Sequence, residues 1–204
     1  MHISWLGQTC IKLQTKNADK DISIIIDAYR PKKGDFPRNF GPDIALFSSG
    51  LEDGATTSQD TFVVNSLGEM EVKGLMIYAV AGNDSNVIYK LNGEGLNIVH
   101  LGRLKKAPTS EYLEKIMSPD ILCIPVGGGQ SYLDPKAAAD LATALEPRLI
   151  IPMGYNCDTD PDAAPLSAFV KELGLKADAT EKKFIIKKKD LPQDETKLIV
   201  LEKE

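Results

Sequence analysis

The sequence predicts an α/β fold in which a sheet-rich core carries helices on its outside. Short β-rich runs follow one another through the first half of the chain, whereas the second half alternates buried strands with helices. The composition is that of a globular protein, with 43% hydrophobic and 26% charged residues. Because no linker-like segment interrupts the 204 residues, we expect a single domain over residues 1–204.

The first half is predicted to consist of strands separated by turns. Alternating or wholly apolar runs mark the strands, and glycine, proline or polar stretches mark the breaks between them. The sequence Asn92-Gly93-Glu94-Gly95 is typical of a hairpin connection between the last two runs. The predicted strands are residues 2–5, 10–14, 22–27, 43–47, 61–65, 75–80, 86–91 and 96–100.

The second half is predicted to alternate strands with three helices. Thr109 is the expected N-cap of a helix over 110–117, and Asp134-Pro135 opens an alanine-rich helix that ends at 145. A third helix over 165–173 is closed by Gly174. The strands predicted in this half are residues 121–126, 149–152, 184–188 and 197–201.

Charge, hydropathy and residue counts exclude several classes of function. The formal charge of −5 offers no basic excess for nucleic acid or an anionic membrane, and the apolar runs are strand-sized, so no membrane span is expected. Three widely spaced cysteines predict a reducing, cytoplasmic compartment. With only two histidines, His2 and His100, a site built on a cluster of imidazoles is excluded.

Seven short motifs follow one another along nearly the whole chain. They are WLGQTCIKL (5–13), IIIDAY (24–29), PDIALFSSGLEDGA (42–55), SLGEMEVKGLMIYAV (66–80), HLGRL (100–104), ILCIPVGGG (121–129) and IIPMGY (150–155). Their order resembles that of the metallo-β-lactamase-fold superfamily, nearest to small metal-dependent hydrolases related to ascorbate-6-phosphate lactonase. The resemblance implies a four-layer αββα sandwich of two mixed sheets flanked by helices. It also implies a cleft for two zinc or manganese ions at one edge.

The positions that hold the metal ligands in this family carry mostly residues that cannot bind a metal. The family's histidines and bridging acid are replaced by small, apolar, amide or cationic side chains, and Asp53 alone is retained. The degenerate positions are Ser49, Leu51, Asp53, Gly54, Asn83, Arg103 and Gly154.

A hydrolytic metal site needs three or more protein ligands and an open position for the water that the metal activates. Asp53 alone does not supply such a set, and Arg103 places a permanent cation where a divalent ion would lie. We therefore expect no metal cofactor and no catalytic residue of the family's type. An ion pair between Arg103 and Asp53 is predicted in place of the metal.

Two other groups of residues are candidate sites. Gly127-Gly128-Gly129 follows a strand and precedes a helix, so with Arg103 it is predicted to bind a small anion; a tight strand-to-helix passage is the alternative. Ser48 and Ser49 with His100 and Asp53 resemble the components of a nucleophilic triad, against the alternative of hydroxyls that fill a loop.

The sequence thus predicts a non-catalytic relative of the hydrolases that binds a small anion or a protein partner, including a second copy of itself. Two alternatives remain. One is an active lactonase or phosphodiesterase, as the family resemblance implies, and the other is a protein-interaction module.

Overall fold

The structure, a computed structural model, describes residues 1–18, 20–34, 36, 41–51 and 54–204, with the backbone alone at 179. In the described residues the strands are β1 (His2–Trp5), β2 (Ile11–Asn17), β3 (Lys20–Ile26), β4 (Ile44–Leu46), β5 (Phe62–Val64), β6 (Gly68–Val72), β7 (Leu75–Ala81), β8 (Val87–Gly93), β9 (Leu96–His100), β10 (Ile121–Pro125), β11 (Leu149–Met153), β12 (Ala177–Glu181), β13 (Lys183–Ile185) and β14 (Lys197–Leu201). The helices are α1 (Ser110–Ile116), α2 (Pro135–Leu145) and α3 (Leu166–Leu173), and a 3₁₀ turn spans Lys188–Asp190.

The strands form two mixed sheets, as the resemblance implies. One has six strands in the order β13-β1-β2-β3-β4-β5, and the other has eight in the order β12-β14-β11-β10-β9-β8-β7-β6. In the first sheet β3, β4 and β5 run parallel, and in the second β9, β10, β11 and β14 do. The remaining pairs around β1, β2 and β3 and from β6 to β9 are antiparallel hairpin-like pairs.

The predicted strands of both halves are present, but β6 and β12 were not predicted. Both are edge strands of the eight-stranded sheet, and β6 carries mostly exposed residues. An edge strand with a solvated face lacks the apolar pattern by which buried strands are recognised. The strand predicted over 184–188 is shorter in the structure, because β13 ends at Ile185 and the chain then enters the 3₁₀ turn.

The helices lie as predicted and flank the eight-stranded sheet. α1 contacts β7, α2 contacts β10, and α3 packs on α2. The Asp134 side chain accepts from the backbone N–H groups of Lys136 and Ala137, and Gly174 ends α3 in the left-handed conformation. Thr109 occupies the N-cap position of α1 without a side-chain hydrogen bond. Every helix in the described ranges is too short or too polar to cross a membrane.

The sheet topology brings several loops to one edge of the molecule. In parallel strands the carboxyl ends meet at the same edge, so the residues that follow β3 and β4 lie together, as do those that follow β9, β10 and β11. A hydrogen bond from the backbone N–H of Arg103, after β9, to the Ser48 hydroxyl, after β4, joins the two groups of loops at 3.3 Å. This edge is where the resemblance places the cleft.

Candidate functional site

A buried carboxylate, Asp27, organises the floor of the site. Asp27 follows β3 with φ of +56° and is 8% exposed. One oxygen accepts from the backbone N–H of Ser48 at 2.7 Å. The other accepts from the hydroxyls of Ser48 at 2.7 Å and Thr9 at 2.9 Å. The carboxylate therefore joins the loops that follow β1, β3 and β4.

His100 is buried and both of its ring nitrogens are engaged with the backbone. Nδ1 accepts from the N–H of Gly102 at 3.1 Å, so Nε2 carries the proton and donates to the Thr9 carbonyl at 2.9 Å. Burial lowers the pKa of His100, which keeps the ring neutral. The ring has no free lone pair for a metal or a proton. Because the Ser48 hydroxyl donates to Asp27, the structure does not bring Ser48 and His100 into a triad.

A small recess of about 20 Å³ lies above Asp27. Of the positions predicted to be degenerate ligand positions, Ser49, Gly54 and Arg103 line it. The other residues around it are Gln8, Thr9, Asp27, Ala28, Tyr29, Phe47 and Gly50. The volume suffices for about one water molecule.

A tyrosine fills the space beside Gly154, the position at which the resemblance implies an imidazole. Gly154 has φ of +66°, and a Cβ built on it would lie 3.1–3.3 Å from ring carbons of Tyr132. The buried Tyr132 donates its hydroxyl to Asp160 Oδ2 at 2.5 Å. Burial, followed by the bond to Asp160, raises the pKa of Tyr132, and Arg103 opposes this rise through its charge and a hydrogen bond.

A wider cleft of about 240 Å³ adjoins the recess and shares Gln8, Tyr29 and Arg103 with it. Gln8 is held in a strained conformation with φ of +47°, and its carbonyl accepts from the indole of Trp5 and the N–H of Gly154, both at 2.7 Å. The remaining residues that line the cleft are Arg30, Lys32, Lys33, Ser131, Thr159, Asp160, Pro161 and Asp162.

Sequence reasoning missed most of this cleft. Its residues come from the loops after β1, β3, β9, β10 and β11, which are far apart along the chain. Four of them are cationic: Arg30, Lys32, Lys33 and Arg103. The one available signal was the basic stretch at residues 30–33 immediately after the Ile-Asp motif.

Leu51 and Asn83 are not among the residues that line the recess. Leu51 is 46% exposed, and the Asn83 amide donates to the carbonyls of Lys106 and Ala107 at 3.0 and 2.8 Å, which pins a loop. Asp53 lies outside the described residues, so its ion pair with Arg103 stays a prediction.

The glycine loop is shaped by packing. Gly128 and Gly129 both have φ of +65°, as a tight strand-to-helix passage requires, and the N–H of Gly128 donates to the Leu133 carbonyl. A Cβ on Gly127 would lie 1.9 Å from the Gly154 carbonyl oxygen. Ser131 is the residue of this loop that lines the cleft beside Arg103, and anion binding by Gly127, Gly128 and Gly129 stays a prediction.

The residues that the structure describes at this edge do not fit a zinc or manganese centre. Ser49 is a neutral hydroxyl, Gly54 and Gly154 offer no side chain, and in His100 Nε2 carries a proton while the Nδ1 lone pair accepts from the backbone. Across the ranges that the structure describes, no three His, Cys, Asp or Glu side chains converge as metal ligands. A stable site requires such a set.

Two mixed sheets flanked by helices, with a cleft at one edge, are the architecture expected of the metallo-β-lactamase fold, and comparisons with known proteins agree with this fold. A candidate Zn-dependent hydrolase of the metallo-beta-lactamase superfamily from Thermotoga maritima superposes with a TM-score of 0.82 at 26% identity and covers 98% of both chains. A metallo hydrolase from Ignicoccus hospitalis shares the fold with a TM-score of 0.65 at 15% identity, covering 85% of this chain and 90% of the other. The prediction of a metallo-β-lactamase fold is confirmed.

Comparisons of the amino-acid sequence show the family to which the chain belongs. The family model for the beta-lactamase superfamily domain matches residues 2–154, about three quarters of the chain. The chain therefore belongs to the metallo-β-lactamase superfamily. A UPF0173 metal-dependent hydrolase from Thermococcus onnurineus is 30% identical over 149 residues, which cover 67% of this chain and 62% of that protein. The match thus spans less than two thirds of that relative's length. Another UPF0173 metal-dependent hydrolase, from Methanosarcina mazei, is 22% identical over 198 residues, which cover 76% of this chain and 84% of that protein.

Proposed function

We propose that this chain is a metal-independent member of the superfamily that binds a small anion in the cleft beside Arg103 and does not hydrolyse it. The observation that carries the proposal is the position of Arg103, which lines both the recess above Asp27 and the wider cleft. A fixed guanidinium at this point favours an anion and opposes a divalent cation.

The charges around the cleft support anion binding. Arg30, Lys32 and Lys33 line the same cavity as Arg103, and the exposed lysines attract an anion from solution at moderate ionic strength. The neutral hydroxyl of Ser131 adds a hydrogen-bond donor. Since a guanidinium donates through two parallel N–H groups, phosphate and carboxylate are the anions that it binds best.

The loss of hydrolysis rests on the chemistry of the floor. No imidazole is available there as a base, because the neutral His100 ring is bonded to the backbone on both sides. Asp27 accepts three hydrogen bonds from Thr9 and Ser48, so its carboxylate is engaged in holding these loops together. Neither group is free to activate a water molecule.

Binding is tested by titrating inorganic phosphate and small phosphate esters into the protein by calorimetry. We expect Arg103→Gln to weaken binding about tenfold, since one charge-assisted contact of about 1.5 kcal/mol is lost. Lys182→Gln, which removes an exposed charge outside the cleft, is the matched control and should leave the affinity within about twofold. Equal affinities for wild type and Arg103→Gln would contradict the assignment of the site.

The alternative of a working metal-dependent hydrolase is favoured by the names of the relatives from Thermococcus and Methanosarcina. Metal analysis of protein purified without chelators, together with hydrolysis assays on phosphodiester and lactone substrates, separates the two functions. Stoichiometric zinc or manganese with turnover that chelation abolishes would establish the hydrolase and refute our proposal.

A further inference from the structure

Two carboxylates line the same cleft as the cationic side chains. Asp160 and Asp162, from the loop after β11, border the cavity of about 240 Å³ that Arg30, Lys32 and Lys33 also line. A carboxylate repels a ligand that is anionic throughout, so these two residues oppose the binding of a simple anion. The cleft therefore has charges of both signs, contributed by two different loops.

Asp160 is held in its position by Tyr132. The Tyr132 hydroxyl donates to Asp160 Oδ2 at 2.5 Å, and the tyrosine ring is packed against Gly154. Because burial raises the pKa of Tyr132, the hydroxyl keeps its proton at neutral pH and remains a donor. Asp160 is half-buried, so its carboxylate is fixed and only partly screened by water.

The neighbouring Asp158 provides a contrast within the same loop. The structure pairs Asp158 with the Lys203 ammonium at 2.7 Å. Neither Asp160 nor Asp162 has a Lys or Arg nitrogen within 4.0 Å among the residues that the structure describes. The charge of Arg103 acts on the Tyr132 hydroxyl that binds Asp160, but neither carboxylate is in a direct ion pair, so both can bind a cation that enters the cleft.

We propose, on the basis of the anion-binding function above, that the ligand is a small phosphomonoester that also carries an ammonium group. The phosphate binds on the cationic side with Arg103, and the ammonium binds to Asp160, with Asp162 adding to the negative potential. Four cationic side chains match a dianionic phosphate better than a carboxylate of single charge. The volume is below the roughly 300–1,000 Å³ that drug-sized ligands occupy, which indicates a small molecule.

The test compares O-phosphoethanolamine with ethyl phosphate, which differ by the ammonium group. We expect O-phosphoethanolamine to bind wild type about five- to tenfold more tightly, as one partly screened charge pair allows. Asp160→Asn keeps an oxygen that accepts from Tyr132 but removes the charge, so the ratio of the two affinities should fall to about one. Asp162→Asn should reduce the ratio by a smaller factor. Asp194→Asn, an exposed acid outside the cleft, is the control and should preserve it.

The outcomes separate this inference from the proposed function. If both esters bind wild type equally and Arg103→Gln weakens both, the anion site stands and the ammonium subsite is refuted. If neither ester binds, both proposals fall. A wild-type preference that survives in Asp160→Asn and Asp162→Asn would also overturn the inference. Tighter binding of β-alanine than of O-phosphoethanolamine would replace phosphate by carboxylate and contradict the ligand class.

Discussion

Replacing Asp27 by asparagine should destabilise the protein without changing its backbone. Asp27 is 8% exposed and its two oxygens accept three hydrogen bonds from Thr9 and Ser48. In Asp27→Asn an NH₂ group takes the place of one oxygen and faces the N–H of Ser48 or its hydroxyl. Hydrogen bonds to a charged group contribute about 1.5–3 kcal/mol each, so we expect a loss of about 2–4 kcal/mol in the free energy of unfolding.

The chain offers a control for this variant. Asp84 also has a left-handed conformation, with φ of +52° against +56° for Asp27, but it is exposed. Asparagine tolerates this conformation as well as aspartate does, so Asp84→Asn should change stability by less than about 0.5 kcal/mol. Urea unfolding, monitored by circular dichroism, measures both variants. An Asp27→Asn protein within about 0.5 kcal/mol of wild type would refute the claim that this carboxylate holds the loops together.

Three further predictions concern the same edge of the fold. Gly127→Ala should lower the free energy of unfolding in urea by about 3 kcal/mol or more, because its Cβ would overlap the Gly154 carbonyl. The control Gly129→Ala places its Cβ in open space at positive φ and should lower it by about 1–2 kcal/mol, so equal losses would contradict the overlap at Gly127. Because burial holds the pKa of His100 below its ordinary value in the folded protein, the contribution of His100 to stability is present above about pH 6.5 and is lost as the pH falls, by about 1.4 kcal/mol per pH unit. His100→Gln should remove this dependence from the free energy of unfolding, measured in urea between pH 8 and pH 5. A pH profile that is the same in His100→Gln as in wild type would contradict the prediction. Gly154→His should lower the free energy of unfolding by about 2–5 kcal/mol, because the new side chain strains the backbone and contacts Tyr132. The variant protein should show no zinc binding in calorimetry. Zinc binding gained by this single change would contradict the prediction and show that the site lacks only one ligand.

The strand and helix pattern could be predicted because it follows from local periodicity. The buried parallel strands β10 and β11 are apolar throughout, and Asp134-Pro135 marks the start of α2 by its own chemistry. The edge strands β6 and β12 could not be recognised, since an edge strand with a solvated face need not carry apolar side chains, and β12 pairs with β14, about 20 residues further along the chain.

The candidate site, like the fold, could be predicted from the sequence only in part. The replacement of the family's ligands at Ser49, Gly54 and Gly154 is readable residue by residue, as is the cation at Arg103. That Tyr132 packs against Gly154 is a contact between residues that no motif connects.

By itself the sequence determined the buried strands, the three predicted helices and the residues that stand at the predicted ligand positions, because these depend on residue identity and on neighbours within a few positions. Only the tertiary structure decided how the remaining polar groups are used. It directed both nitrogens of His100 to the backbone, enclosed Asp27 between Thr9 and Ser48, and brought Asp160 into the same cleft as the basic residues of the loop after β3. Hydrogen bonding and charge act over a few ångströms in space, and the folded chain alone sets those distances.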